Sequence, residues 1–156
     1  MPRELLRHTL ATLAYRSQKA LRDAPAGFAQ FKVSPATRTP LEIVAHMADL
    51  LDWARSYSQG KGVWAPVAPT TWEETTARYT QALQAFDEAI ASGATLGASE
   101  ERLLQGPIAD ALTHTGQLTM LRGAFGSPVK GENYFVARIE AGVLGPSQAA
   151  PAREFD

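Results

Sequence analysis

Residues 39–58 read TPLEIVAHMADLLDWARSYS, and this stretch decides the fold class. The start of an α-helix is indicated by Thr39 as the N-cap, Pro40 in the first turn, and Glu42, which completes a capping box with Thr39. One apolar stripe then recurs at steps of three and four: Ile43, His46, Leu50, Trp53 and Tyr57. The pattern predicts an amphipathic helix over residues 40–58 with His46 on its inward face.

Three further segments show the same period and are predicted as helices over residues 3–22, 71–91 and 107–124. Their stripes are Leu6, Leu10, Leu13, Ser17 and Leu21; Trp72, Thr76, Tyr79, Leu83, Phe86 and Ile90; and Ala111, His114, Leu118, Leu121 and Phe125. We expect the last helix to begin at Pro107, because proline is favoured at the first helical position. A second histidine, His114, therefore also faces inward.

The composition favours the same fold. Ala and Leu together number 43 and Val and Ile only 11, which favours helix over strand. The 156 residues and 45% hydrophobic content suit a single domain over residues 1–156. We predict an all-α four-helix bundle with long, crossover-type loops and an irregular C-terminal covering segment over residues 127–156.

Several classes of function are disfavoured by composition. The chain has no cysteine, so disulfides and thiolate metal sites are excluded and any metal must be held by nitrogen and oxygen. A net charge of −1 gives no electrostatic reason to expect nucleic-acid binding. No signal-peptide pattern and no long apolar run is present, so we expect a cytoplasmic protein that does not enter membranes.

The candidate site combines two histidines and one carboxylate. His46 lies seven residues after Thr39, and His114 lies seven residues after Pro107, so the two imidazoles come level if their helices run parallel. Asp110 precedes His114 by four residues and projects from the same side of its helix. Such a set leaves coordination positions open, as a catalytic divalent site requires, and zinc, nickel, manganese and iron all remain candidates.

Three segments also resemble a known family: TPLEIVAHMADLLDWA, GPIADALTHTGQLTMLR and SPVKGENYF are similar to the DinB/YfiT-like superfamily of four-helix-bundle proteins. In that family a histidine of the second helix and an H-x-x-x-H pair of the last helix bind a divalent metal. The resemblance implies that His46 is the first ligand and that His114, in HTGQ, is the last. Asp110 replaces the middle histidine, and a carboxylate there favours zinc, manganese or iron over nickel.

Two functions follow as alternatives. The first is a metal-dependent enzyme, either a hydrolase or a thiol-dependent transferase, with water or a thiol cosubstrate at the open position. The second is a non-catalytic bundle that binds a small apolar ligand or a protein partner, with the Asp and His residues purely structural. The family resemblance and the apolar stripes lead us to expect a homodimer; the substrate is not predicted.

Other conspicuous residues receive simpler interpretations. His8 lies opposite the stripe of its helix and is predicted to face solvent. Asp49 is predicted on a solvated flank, and Trp64, in a loop, serves either as an interface anchor or as a lid. We expect the segment 133–135, Asn-Tyr-Phe, to pack onto the helices.

Overall fold

Helices dominate this computed structural model, which describes residues 2–156. The helices are α1 (Pro2–Leu21), α2 (Pro40–Ser58), α3 (Trp72–Ala91), α4 (Glu100–Leu103) and α5 (Ala109–Phe125). A π-helical segment, Leu104–Ile108, joins α4 and α5 into one continuous run. The prediction of an all-α bundle is confirmed. None of the described helices is both long and apolar enough to cross a bilayer.

The prediction that the last helix begins at Pro107 is wrong. The helical run begins at Glu100, where the Ser99 side chain accepts a hydrogen bond from the Arg102 N–H. Pro107 lies inside the run, within the π-helical segment. Proline has no N–H to donate and its ring crowds the preceding turn, and a wider π turn is one way for a helix to accommodate both.

The four long helices pack in a cycle that places α1 diagonally opposite α2. Both α1 and α2 contact α3 on one side and α5 on the other. Arg7 pairs with Asp87, and Ser17 bonds to Tyr79, so α1 and α3 run antiparallel. Helix α3 therefore separates two helices that are neighbours in sequence, which a simple up-and-down bundle would place side by side.

Helix α2 runs antiparallel to α5, so the parallel arrangement assumed from the sequence is wrong. The start of α2, at Ile43, shares a groove with Gln117, whereas the end of α2, at Tyr57, lies against Gly97. By contrast, α2 and α3 both begin near the Phe28 turn, which contacts α2 and the Trp72 ring. The loop over residues 59–71 must consequently return along the bundle, which is the predicted crossover-type connection.

The predicted stripes of α1, α3 and α5 form much of the core, whereas the buried face of α2 is centred on Val44, Met47 and Leu51, off its predicted stripe. Fully or almost fully buried side chains come from all the long helices, and the largest are Tyr79, Phe28, Phe86, Leu10, Leu13, Met47, Leu51, Leu83, Ile90, Leu103, Ile108 and Leu118. His8 is exposed, as expected. His114 is buried on α5 and His46 lies at the edge of the buried face of α2, so both histidines are held by well-packed helices.

The C-terminal segment folds back over α1, as predicted for a covering segment. Strand β1 (Gly131–Glu132) pairs antiparallel with β2 (Glu154–Phe155). The Tyr134 ring packs edge-on against Tyr15, and Arg16 lies 4.0 Å from the centre of that ring. The prediction for residues 133–135 holds for Tyr134 but is wrong for Phe135, which is 97% exposed.

The start of α2 gives a first prediction about stability. The Glu42 N–H donates to the Thr39 hydroxyl, and the Glu42 carboxylate accepts from the Thr39 N–H, so the predicted capping box is confirmed. Thr39→Ala should lower the free energy of unfolding by about 1 kcal/mol, measured by urea denaturation. The control is Thr119→Ala, at an exposed position within α5, which should change stability by less than about 0.5 kcal/mol. Equal losses in the two variants would contradict a specific capping role.

Candidate metal centre

The three residues predicted as metal ligands meet at the contact between α2 and α5. One ligand atom from each of His46, Asp110 and His114 lies within 4.8 Å of the other two. The His46 Nε2 is 3.5 Å from Asp110 Oδ2, and the His114 Nε2 is 3.4 Å from Asp110 Oδ1. The two imidazole rings lie edge to face, with their centres 4.9 Å apart. Among residues 2–156 this is the one such His/Asp/Glu group found.

The sequence correctly predicted that His46, Asp110 and His114 lie together, but the count along parallel helices that led to this prediction is wrong. Counting from Thr39 and from Pro107 made the two histidines level in parallel helices, but α2 and α5 are antiparallel and Pro107 begins no helix. The residues meet because His46 lies near the start of α2 while His114 lies near the middle of the run over residues 100–125. The spacing of four between Asp110 and His114 holds as predicted, since both lie on α5.

The separations between the candidate donors suit a bound ion better than direct hydrogen bonds. A charged N–H···O bond between imidazolium and carboxylate has a length of about 2.7–2.9 Å, shorter than both contacts of Asp110. Ligands about 2.0–2.2 Å from a tetrahedral zinc ion are separated from each other by about 3.4 Å. Each histidine nitrogen lies near this spacing from one oxygen of Asp110, His46 from Oδ2 at 3.5 Å and His114 from Oδ1 at 3.4 Å.

Gln117 orients the His114 ring. Its side-chain Oε1 lies 2.8 Å from the His114 Nδ1, which makes Nδ1–H the donor when the amide oxygen is the acceptor. The Nε2 nitrogen, which faces Asp110, then carries the lone pair that a metal needs. Sequence reasoning missed this partner, although its position three residues after His114 places it on the same side of α5.

The cluster is buried on one side and open on the other. The exposed fraction of the side chain is 10% for His114, 22% for His46 and 46% for Asp110. Burial lowers the pKa of His46, and the positive charge of Arg38 and the neighbouring His114 lower it further, against an opposing effect of Asp110. A lowered pKa favours neutral imidazole near neutral pH, which is the form that binds metal.

An aromatic wall flanks His46. Trp64, from the loop over residues 59–71, packs edge-on against the His46 ring at 5.8 Å and against Trp53 at 6.1 Å. The Trp64 side chain is itself 45% exposed, so solvent still reaches one side of this ring. Trp64 thus contacts the candidate site itself, which is consistent with the lid alternative of the sequence interpretation.

Asp49 fixes this loop, and the prediction that it lies on a solvated flank is wrong. It is 7% exposed and accepts hydrogen bonds from Arg78 at 2.7 Å and from the Val67 N–H at 3.1 Å. Arg78 also donates to Asp52 at 2.8 Å. The loop over residues 59–71 covers Asp49 on this side of α2. Local periodicity does not predict that Asp49 is buried, because the residues that cover it are distant in sequence.

A groove of about 420 Å³ adjoins His114, one of the candidate ligands. It is lined by Val33, Thr37, Arg38, Ile43, His114, Gln117, Met120 and Leu121. Wider surface depressions, of about 630 and 530 Å³, lie elsewhere, and neither is lined by a residue of the His/Asp cluster. The groove beside His114 is therefore the concave surface best placed to bring a molecule to the cluster.

Comparisons with known proteins found no family model, no curated protein and no solved structure that matches this chain. The resemblance to the DinB/YfiT-like superfamily consequently stays a prediction. Support for a function comes from the residues of the cluster and from the groove beside them.

Proposed function

We propose that this chain is a DinB/YfiT-like, divalent-metal-dependent enzyme whose metal ligands are His46, Asp110 and His114. The spacing of the three donors carries the proposal: two imidazole nitrogens each lie at a ligand-to-ligand distance from a carboxylate oxygen. The orienting bond from Gln117 to His114 adds the outer partner that metal-binding histidines usually have.

The donor set suits several divalent ions. Two neutral imidazoles and one carboxylate suit zinc, and they also accept manganese, iron and nickel. Three protein ligands leave at least one position for water or substrate, as in catalytic zinc sites. We place zinc first because two histidines and one carboxylate are a ligand set of catalytic zinc sites.

The residues of the chain set the conditions for the chemistry. When bound, the ion supplies Lewis acidity and lowers the pKa of a coordinated water or thiol. Gln117 holds the tautomer of His114, and the Trp64 ring packs edge-on against the His46 ring. The half-exposed side of Asp110 leaves room for a reactant to approach.

Hydrolysis and thiol transfer both fit this arrangement. A hydrolase would take its nucleophile from water, whereas a transferase would take a thiol from a cosubstrate, because the chain contains no cysteine. The groove beside His114 also favours a second candidate, a non-catalytic bundle that binds a small apolar molecule. The two candidates differ in whether the native protein depends on a metal.

Metal content therefore decides between them. Protein purified without a metal-affinity tag should contain about one divalent ion per chain by elemental analysis. Prolonged EDTA treatment should remove the ion and lower the melting temperature by roughly 5–10 °C relative to protein with free zinc about a hundred times above the dissociation constant.

The control is readdition of zinc, which should restore the melting temperature, whereas magnesium should not, because it prefers all-oxygen ligands. Folded protein that contains no ion, takes up no zinc and melts identically with and without EDTA would overturn the metal proposal and leave the non-catalytic bundle.

A further inference from the structure

We infer that the groove beside His114 binds the apolar body of a small molecule with a single negative charge, and that Arg38 holds its anionic group. Such a molecule is the substrate class of the proposed metal site, so this inference rests on the proposed function for its catalytic meaning. The binding itself depends only on the groove.

The size and lining of the groove suit a small organic molecule. Its volume of about 420 Å³ falls within the usual range of ligand pockets, about 300–1,000 Å³. Ile43 and Leu121 are buried at its base, whereas Val33 and Met120 are 53% and 77% exposed at its rim. An apolar body lying between these side chains would cover large hydrophobic groups that solvent now reaches.

The charge of the groove selects an anion. Arg38 is the single ionised side chain in the lining, and no carboxylate lines the groove. Within residues 2–156 the Arg38 guanidinium donates no hydrogen bond, and the carboxylate of nearby Glu42 is already bonded to the Thr39 N–H at 2.7 Å. A guanidinium binds a carboxylate or phosphate through two parallel hydrogen bonds, so the exposed Arg38 guanidinium offers such a donor pair to a ligand in the groove.

The groove contacts one of the candidate metal ligands. His114 and Gln117 form part of its wall, and Arg38 lines the same groove. A divalent ion held by one carboxylate and two neutral imidazoles keeps an excess of positive charge, of the same sign as Arg38. Both features oppose a cationic ligand and attract an anionic one.

The test compares three probes with the same apolar chain: octanoate, octanol and octylamine. Each is titrated into zinc-loaded and EDTA-treated protein while the methyl NMR signals of Ile43, Met120 and Leu121 are followed. Octanoate should shift all three signals and bind about tenfold more tightly than octanol, with octylamine the weakest, because a hydrogen bond to a charged donor is worth about that factor.

Arg38→Gln should remove the preference for octanoate over octanol while leaving octanol binding unchanged. Arg55→Gln is the matched control, because it removes the same charge from an exposed position at the other end of α2. The control should retain the tenfold preference seen in the unmodified protein. Heat denaturation of both variants confirms that they fold equally.

The outcomes separate this inference from the metal proposal. If octanoate shifts the groove signals but the protein takes up no zinc, the metal proposal fails and the groove assignment stands. If zinc binds but octanol matches octanoate, or Arg38→Gln keeps the preference, the groove assignment fails and the metal proposal stands. The assignment also fails if none of the probes shifts the three methyl signals.

Discussion

Replacing His114 with alanine is expected to abolish stoichiometric zinc binding while leaving the helical bundle folded. The side chain provides one of three proposed donors and is only 10% exposed, so water cannot readily take its place with the same geometry. Loss of an outer partner alone typically weakens metal binding 10–100-fold, and loss of a direct ligand should exceed about a hundredfold. Isothermal titration with zinc and elemental analysis measure the effect.

Asp110 permits a sharper version of the same experiment. Asp110→Ala should weaken zinc binding to a similar extent, because it removes the carboxylate that lies between the two imidazoles. Asp110→His should retain binding and shift the relative affinity toward nickel, because it provides a third imidazole at the position where the resembling family has one.

His8→Ala is the matched control for these variants. His8 is exposed on α1 and lies outside the cluster, so its removal should leave one bound ion per chain. Unchanged zinc affinity in both His114→Ala and Asp110→Ala would contradict the assigned ligand set. An equal loss in His8→Ala would show that the losses arise from general destabilisation.

Features that depend on neighbouring residues were predictable from sequence. The hydroxyl and carboxylate of Thr39 and Glu42 lie one helical turn apart, so their reciprocal bonds follow from spacing alone. The stripe from Tyr79 to Ile90 is likewise buried as its period predicts. The pairing of Asp110 with His114 belongs to the same class, because residues four apart on a helix face the same side.

Features that depend on distant parts of the chain were not predictable in the same way. Pro107 has the local signature of a helix start, and only the packed turns before it show that the helix continues through a π-helical segment. The direction of α2 relative to α5 depends on how the loop over residues 59–71 crosses the bundle. The burial of Asp49 by Val67 depends on the same loop.

The meeting of His46 with His114 shows how these two kinds of information combine. Each histidine lies on an apolar stripe for local reasons, and both the count along each helix and the resemblance to a metal-binding family predicted that the two would meet. Their actual contact arises from antiparallel helices, whose relative height no count along the sequence supplied. The expectation of a homodimer depends on surfaces beyond a single chain and stays a prediction.

The C-terminal segment provides the second large expected effect. The Glu132 side chain is completely buried and accepts hydrogen bonds from the Tyr15 hydroxyl and from the Lys19 ammonium, the latter at 3.0 Å. Lys19 is itself buried, and its remaining acidic partner, Glu154, lies 3.4 Å away with 34% of its side chain exposed. This cluster joins α1 to both strands of the covering segment.

Glu132→Ala should lower the free energy of unfolding by about 3 kcal/mol, because it leaves a buried ammonium with only a weak partner. It also leaves the Tyr15 hydroxyl without its acceptor. Urea denaturation measures the loss, and faster amide exchange at residues 131–156 should show that the covering segment has been released from α1. The control is Glu140→Ala, whose exposed side chain pairs with Arg138 at 3.5 Å and should contribute less than about 0.5 kcal/mol.

A double variant separates the buried charge from the loss of contacts. Lys19→Met combined with Glu132→Leu removes both charges and keeps most of the side-chain volume, so most of the stability lost in Glu132→Ala should return. Recovery would assign the loss to the unpaired ammonium of Lys19. A double variant as unstable as Glu132→Ala would instead assign it to the hydrogen bonds of Tyr15 and the packing of β1 against α1. If Glu132→Ala is as stable as the unmodified protein, the Glu132 cluster does not hold the covering segment.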